Sequence, residues 1–275
     1  MKYILIYITI LISNQVFSQG EFKPSYLLTL PKGEMDQSLD NSHGFSLNLS
    51  YGIKRTGFFP GINFNQGVYA SSTEKIDFET PDGNRVLSEM YIKNSYTNWN
   101  LNLQYNFLKG EGKGKRIIPF VEAGIGFTFF RTIFSLLDSV PESSCDPDPS
   151  SAQILQRDNA LNFYAGTGIK IRLTSNEHSK CRCIRIYLTS SIGLRYGSNV
   201  SYMNVNNENG QSHHNIGSSE VDKLPFYSTW VNKQTQTEHM HHTGYTYTAP
   251  IRMLELKFGI SLIFPPSNGP FCGRY

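Results

Sequence analysis

The sequence predicts an all-β protein: an eight-stranded antiparallel transmembrane β-barrel, built as an up-and-down meander with long outer loops and short periplasmic turns. Three observations predict this fold. The first residues have the pattern of an export leader, long segments alternate apolar and polar residues, and the connections between these segments are short and long in turn. Together they predict a protein that is exported and inserted in the outer membrane of the cell.

The first residues predict a secretory signal peptide. Lys2 precedes a ten-residue, largely apolar run, and Val16 and Ser18 supply the β-branched and small residues at positions −3 and −1 of a cut after Ser18. A membrane helix needs about 20 apolar residues, so this run is too short to be one. We therefore expect a signal peptide at 1–18, a barrel domain at 19–264 and a periplasmic C-terminal tail at 265–275.

Seven segments alternate apolar and polar side chains, as strands with two different faces do. They are 45–54, 60–70, 97–107, 120–129, 161–173, 184–196 and 254–264. Strands of globular proteins average about five or six residues, whereas a tilted membrane strand needs roughly 9 to 11. The length of these segments therefore favours a membrane barrel. An eighth candidate is 22–30, where Tyr26, Leu28 and Leu30 share a face but Pro24 and Leu27 interrupt the pattern.

The connections alternate in length. Short ones are 55–57, 108–116 and 174–183, and long ones are 31–43, 71–94, 131–160 and 197–250. Outer-membrane barrels have short periplasmic turns and longer loops on the outer side. If the last strand ends in the periplasm, the alternation of short and long connections requires a further strand before 31–43. Segment 22–30 is that strand, which brings the count to eight.

The composition of the two faces predicts which one meets lipid. The polar faces are rich in Gly, Ser and Asn, which suit the narrow lumen of eight strands. Aromatic residues lie toward the strand ends of the apolar faces, as interfacial girdles do: Tyr51, Trp99, Phe107, Phe129, Tyr196 and Phe264. A soluble lipocalin-like barrel that binds a small ligand has the same alternation with its apolar face inward, and it is the alternative. Gln66, on the apolar face, has no explanation in the pattern.

Charges of both signs on the polar faces predict an ionic network that plugs the lumen. Its predicted members are Glu122, Glu255, Lys170, Arg172, Arg185, Arg195 and Lys257. Eight strands enclose an interior that side chains fill, so no open channel is expected.

The sequence resembles the bacterial outer-membrane β-barrel domain family, the small PorT-like barrels. The residues that carry the resemblance are Pro119-Phe120-Val121-Glu122-Ala123-Gly124-Ile125-Gly126, Phe163-Tyr164-Ala165-Gly166-Thr167-Gly168 and a last strand ending Leu262-Ile263-Phe264. The resemblance implies insertion as a barrel, with Phe264 as a terminal aromatic signal for the β-barrel assembly machinery. It implies no activity.

Candidates for chemistry are few. His239, His241 and His242 are weak metal candidates, because a loop gives them no fixed geometry; no metal and no other cofactor is expected. His43 and Ser46 could be the base and nucleophile of an outer-membrane lipid-modifying enzyme. Alternation turns Ser46 toward the lumen, away from lipid, so we expect no enzyme and keep this activity as an alternative.

The exported context and the four cysteines predict at least one disulfide. Cys181 and Cys183 fall in a periplasmic turn, and Cys272 falls in the tail on the same side. A bridge between Cys181 and Cys183 would be strained, so one of them is expected to pair with Cys272. Cys145 falls on the opposite rim and should be unpaired.

The long outer loops have no role in the predicted barrel wall, and they predict a structural or partner-binding role for the protein. Segment 197–250 is the longest connection, and long loops without structure of their own are usually functional or disordered. Its aromatic residues Phe226, Tyr227 and Trp230 are the predicted anchors of an extracellular or envelope protein partner. Outer-membrane lipid and the β-barrel assembly machinery are the other expected partners. The net charge of +3 gives no sign of nucleic-acid binding.

Overall fold

The computed structural model describes most of the barrel wall. The described residues are 17–53, 56–79, 85–107, 116–137, 153–174, 184–205, 223–231 and 238–264. Within them, the description covers the backbone alone at 17–18, 74–79, 85–90, 136–137, 153, 223–231 and 238–244. Residues 1–16 of the predicted signal peptide, the tail from 265 and all four cysteines lie outside this part of the chain. Among the described residues, no helix has the length and apolar character to cross a membrane.

The described residues form nine strands and one short 3-10 helix. The strands are β1 Phe17–Pro31, β2 Ser42–Ile53, β3 Phe58–Glu79, β4 Arg85–Asn106, β5 Ile117–Leu137, β6 Gln153–Arg172, β7 Arg185–Asn204, β8 Lys223–Val231 and β9 Glu238–Phe264; the 3-10 helix is Gly33–Gln37. β1 to β7 and β9 pair in this order, and β1 pairs with β9, which closes an eight-stranded antiparallel barrel. The predicted fold class is therefore confirmed. β8 is an additional strand that pairs with the first half of β9.

The register fixes the tilt of the strands. A line of paired residues that starts at Phe129 of β5 passes round all eight strands and returns to β5 at Pro119, ten residues away. With about 3.3 Å per residue along a strand and about 4.8 Å between strands, this offset corresponds to a tilt of about 40°. Such a tilt is typical of outer-membrane barrels.

β1 confirms the eighth predicted strand and explains its irregular pattern. Leu27 is fully buried in the lumen, so it is an apolar residue on the inner face and not a break in the strand. Pro24 pairs with Leu47 of β2, but the register between β1 and β9 has no pair at this position. A residue without an N–H is tolerated where the ladder is interrupted.

Six barrel strands continue well beyond their predicted ends at the long-loop side. Segments 71–94, 131–160 and 197–250, predicted as loops, begin and end in strand. In particular, 197–250 is not a loop without structure: it contains the end of β7, all of β8 and the start of β9.

The extensions escaped prediction because the polarity of the two faces inverts along each strand. In β9, Leu254 and Leu256 face outward while Glu255 and Lys257 are buried in the lumen. Two residues nearer the long-loop end, Met253 is buried and Arg252 is exposed. The wall thus changes from apolar outside and polar inside to the reverse.

The inverted part of the wall encloses an apolar upper core. Its buried residues come from the extensions and from the segment around the 3-10 helix: Met35, Leu39, Tyr69, Ala70, Ile92, Tyr96, Phe130, Phe134, Ala160, Val200, Tyr202, Met203, Val205, Tyr247, Ala249, Ile251 and Met253. Asn204 donates to the carbonyl of Ser38 at 2.7 Å, and Lys32 N–H donates to the Arg252 carbonyl at 2.9 Å. The 3-10 segment is therefore fastened across this end of the lumen.

The exposed apolar side chains form a belt around the other half of the barrel. Most of the described large apolar residues that are exposed lie toward the short turns, as Leu101, Phe163 and Leu194 do, whereas Ile154 lies well above them near the start of β6. Gln66 marks the upper edge of this belt, since it pairs with Phe45 on one side and with the polar Thr97 on the other. A belt outside and charges inside are the features of a barrel that faces lipid, and they exclude the soluble lipocalin-like alternative.

The belt gives a direct test. Leu101 is 66% exposed within it, whereas Ser198 is exposed above it. Leu101→Arg should lower the free energy of unfolding from lipid vesicles by about 2–4 kcal/mol, because it places a charge near the bilayer centre. Ser198→Arg should change it by no more than about 0.5 kcal/mol. Urea titration of both variants in vesicles measures the difference, and equal stability of the two would contradict the membrane belt.

Candidate functional site

The lumen at the level of the belt holds two linked ionic clusters. In the first, nearer the short turns, Lys170 of β6 donates to both carboxylate oxygens of Glu21 on β1, at 2.6 and 2.7 Å. Ser261 donates to Glu21 Oε1 at 2.6 Å, and Gln104 Nε2 donates to Oε2 at 3.4 Å. Both ionised side chains are fully buried, so each depends on the other for its charge compensation.

Lys23, two residues along β1, extends this cluster. Its ammonium group donates to Glu122 Oε2 and to Gln104 Oε1, both at 3.2 Å. The Lys23 ammonium group also lies 4.7 Å from the ring centroid of Phe120, and the Lys170 ammonium group lies 5.3 Å from the same centroid. Both are cation–π contacts. Two ammonium groups in the lumen therefore contact the same aromatic ring.

The second cluster surrounds Glu255 of β9. Arg195 of β7 donates to Glu255 Oε1 at 2.6 Å, and Lys257 contacts Oε2 at 3.2 Å. The same guanidinium donates to the side-chain oxygen of Asn100 at 3.0 Å and to that of Asn162. Asparagine side chains on the facing strands thus satisfy the donors that the carboxylate leaves free.

Tyr164 of β6 joins the two clusters. Its hydroxyl donates to Glu122 Oε1 at 2.7 Å, while its ring lies 4.2 Å from the Lys257 ammonium and 5.3 Å from the Arg195 guanidinium carbon. A Cβ at Gly193 would lie 2.5 Å from this ring, so the ring needs a glycine there. This close approach is one reason why the lumen face is rich in glycine.

The structure brings five of the seven predicted network residues together: Glu122, Glu255, Lys170, Arg195 and Lys257. Arg172 and Arg185 lie instead at the short-turn mouth, at the last residue of β6 and the first of β7, and both are partly exposed. Arg172 makes no ion pair with a described carboxylate, because the inward carboxylate nearest this mouth, Glu21, is occupied by Lys170.

The sequence reasoning missed Glu21 and Lys23. Both belong to β1, which was recognised only from 22–30 and only by its apolar face. The signal was present, since Glu21, Lys23 and Ser25 alternate in the same way as the inward residues of the other strands.

Apolar residues close the lumen on both sides of these clusters. The upper core lies toward the long loops, with Phe130 and Tyr202 at a ring distance of 5.5 Å. Ile118, Tyr187 and Ile263 pack together toward the short turns. Packed apolar side chains therefore lie at both ends of the described lumen, with the ionic clusters between them.

The other chemical candidates do not assemble into a site among the described residues. Ser46 is buried and accepts from Asn63 Nδ2 at 3.1 Å, whereas His43 is exposed on the other face of β2 and contacts the Tyr26 hydroxyl at 2.5 Å. His239, His241 and His242 lie on β9, outside the part with described side chains. No metal-binding group of three or more His, Cys, Asp or Glu occurs in the described part of the chain.

Comparison with known proteins yields likenesses in fold. No protein-family model matches the chain, so membership of the PorT-like family stays a prediction. No curated protein matches it either. Among solved structures it is similar to Neisserial surface protein A, with 12% identity over 89% of this chain and 96% of that one and a TM-score of 0.37.

Two further solved structures are similar at the same level. The attachment invasion locus protein Ail of Yersinia pestis has 11% identity over 90% of this chain and 99% of its own, with a TM-score of 0.35. The outer membrane protein OprG from Pseudomonas aeruginosa has 11% identity over 90% and 97%, with a TM-score of 0.36. At these identities the likeness concerns the fold alone.

The Glu21–Lys170 pair predicts a strong non-additive effect on stability. Glu21→Leu leaves a buried, uncompensated ammonium group and should lower the free energy of unfolding by about 3–5 kcal/mol. Glu21→Leu combined with Lys170→Met removes both charges and should recover most of that loss. Urea titration of the refolded barrel measures all three variants. Losses that simply add would show that the two side chains are independent.

Proposed function

We propose that this chain is an integral outer-membrane protein that acts by presenting its long-loop end to a protein partner. One observation carries the proposal. The belt half of the barrel has an apolar outer surface, which suits lipid, and buried ion pairs inside, whereas six barrel strands project past the belt as a wall with its own apolar core. Loops and edges on a rigid scaffold are the usual place of binding residues.

The filled lumen argues against a pore. Arg195, Glu255 and Lys170 are fully buried between the walls, and Tyr164 spans from one ionic cluster to the next. An ion would have to break buried ion pairs to pass, and breaking such a pair is costly.

The separation of His43 and Ser46 argues against the alternative of a lipid-modifying enzyme. The two side chains lie on opposite faces of β2, and Ser46 is 2% exposed. A nucleophile and its base must come within hydrogen-bond reach, and a lipid substrate would approach from outside the wall.

The β8–β9 hairpin is the proposed partner-binding element. β8 pairs with β9 from Lys223↔Tyr247 to Val231↔Glu238, and it carries the predicted anchors Phe226, Tyr227 and Trp230. Below it, Tyr202 and Tyr247 stack with a centroid distance of 6.1 Å inside the upper core. The β8–β9 hairpin thus projects from the packed upper core. Tyr202 and Tyr247 are buried in that core, so they are not available to a partner.

The hairpin can be removed without touching its support. Asn204 and Tyr245 form the last pair between β7 and β9 before the strands separate. Replacing 206–243 with an Asn-Gly turn should leave a folded barrel that shifts its gel mobility on heating, because the upper core stays intact. In a strain that lacks the gene, this variant should fail to restore whatever phenotype the deletion causes.

A second excision controls for the loss of any outer hairpin. Glu74 pairs with Met90 between β3 and β4, so an Asn-Gly turn in place of 75–89 removes a hairpin tip elsewhere on the rim. This control variant should restore the phenotype. Full complementation by the barrel that lacks 206–243 would contradict the proposal and move function to the barrel wall or the short turns.

Planar bilayers test the filled lumen independently. The purified full chain should insert without producing stable conductance steps, because both ends of the lumen are closed by packed apolar residues. Reproducible steps of a fixed size from the wild-type protein would show that the lumen opens.

A further inference from the structure

Cations predominate among the first described charges on the outer surface immediately above the belt, and the exposed Asp40 just beyond β2 is the exception. On five strands, the first charged side chain that faces outward between the belt and the long loops is basic. These strands are β1, β4, β5, β6 and β9, and on β1 the residue lies just beyond the strand end. These residues are Lys32, Lys93, Arg131, Arg157 and Arg252. On β2 the corresponding position is His43.

Two of these cations face each other directly. Arg131 of β5 and Arg157 of β6 are paired residues in the register, and both point away from the lumen. Like charges directly opposite each other on antiparallel strands destabilise a sheet. Neither guanidinium makes an ion pair with a described carboxylate, and Arg131 Nε is buried without a hydrogen-bond acceptor among the described residues.

The neighbouring acid does not neutralise the pair. Asp158 accepts the N–H of Asn159 on Oδ1 and the N–H of Ser201 of β7 on Oδ2, each at 2.7 Å, and it forms no ion pair with either arginine. The two guanidinium groups therefore offer planar pairs of N–H donors, and no described carboxylate accepts from them.

The position next to the belt identifies the kind of anion. Arg131 follows the belt residue Phe129 by one outward position, and Arg157 follows Leu161 by two. Side chains as long as arginine can reach the headgroup layer from there while their stems lie along apolar surface. Arginine pairs bind phosphate through parallel N–H donors, and basic clusters at this height bind acidic lipid headgroups.

We propose that Arg131 and Arg157 together bind a phosphate group of a phosphorylated glycolipid in the outer leaflet. The acyl chains of that lipid lie against the belt below the pair, on Phe127, Leu161 and Phe163, which are all exposed. This site rests on the proposed membrane location, but it is separate from the partner-binding hairpin. It gives the unpaired guanidiniums their counter-charge.

Native mass spectrometry of the detergent-solubilised full chain can test the site. The probes are bis-phosphorylated lipid A, the same lipid with its phosphates removed, and inorganic phosphate. The wild-type protein should retain the phosphorylated lipid at least about tenfold more tightly than the dephosphorylated one, because two charged contacts depend on phosphate. Inorganic phosphate up to millimolar concentration should displace little of the lipid.

The double variant Arg131→Gln with Arg157→Gln should lose this preference. The matched control is Arg116→Gln, which removes one exposed cation at the opposite, short-turn rim and should keep it. The conservative double variant Arg131→Lys with Arg157→Lys keeps the charges without the fork and should bind with intermediate strength. Heat-shifted gel mobility confirms that each variant is folded.

Thermal unfolding gives a second measurement that does not require a folded double variant. Without acidic lipid, Arg157→Gln alone should be at least as stable as the wild type, because it relieves the repulsion between the two guanidiniums. Added lipid A should raise the Tm of the wild type more than that of this variant.

Three results would overturn the site: equal retention of both lipids by the wild type, unchanged preference in the double glutamine variant, or full displacement by inorganic phosphate, which would indicate a plain anion site. Each of these can occur in a barrel that inserts normally into vesicles. Failure of the membrane proposal itself is distinguishable, since the wild type would then not insert at all.

Discussion

The change of solvent along each strand is the constraint on which the rest of this structure depends. Near the short turns the wall faces hydrocarbon, so its outer side chains are apolar and its polar side chains are turned inward. Farther along, the same strands face water and the preference reverses, as Leu254 and Arg252 show within one strand. Every other feature follows from where this reversal lies: the charged lumen below it, the apolar upper core above it, and the basic rim at its level.

The charged lumen is the consequence of that constraint at the narrow interior of eight strands. Polar residues excluded from the lipid face must satisfy one another across the lumen, because buried charges without partners are costly. Glu21 meets Lys170 and Glu255 meets Arg195, in each case from strands far apart in sequence. The network therefore also ties the first strand, β1, to the middle of the chain, which helps to hold the closing seam with β9.

The same constraint decides how much the sequence could predict. Two-residue alternation located seven strands, and counting short and long connections placed the eighth, because both signals are local. The strand extensions were missed since the alternation at Met253 and Arg252 has the opposite sense to that at Leu254 and Glu255. The pairing of Lys170 with Glu21 could not be predicted, because β6 and β1 are not neighbours in the sheet and their contact depends on the ten-residue offset of the register around the closed barrel.

The upper core has a role that a membrane anchor alone would not require. A barrel needs only its belt to remain in lipid, yet here the wall continues, and Met35, Tyr202 and Ile251 pack inside it as in a water-soluble protein. The 3-10 segment is fastened to this core by Ser38, which contacts the Tyr202 hydroxyl and accepts from Asn204. Ordering so many residues above the membrane costs conformational entropy, about 1–2 kcal/mol for each backbone position. Burial of this core offsets that cost and holds the strands that carry the β8–β9 hairpin in a fixed geometry, which is the property that a binding surface requires.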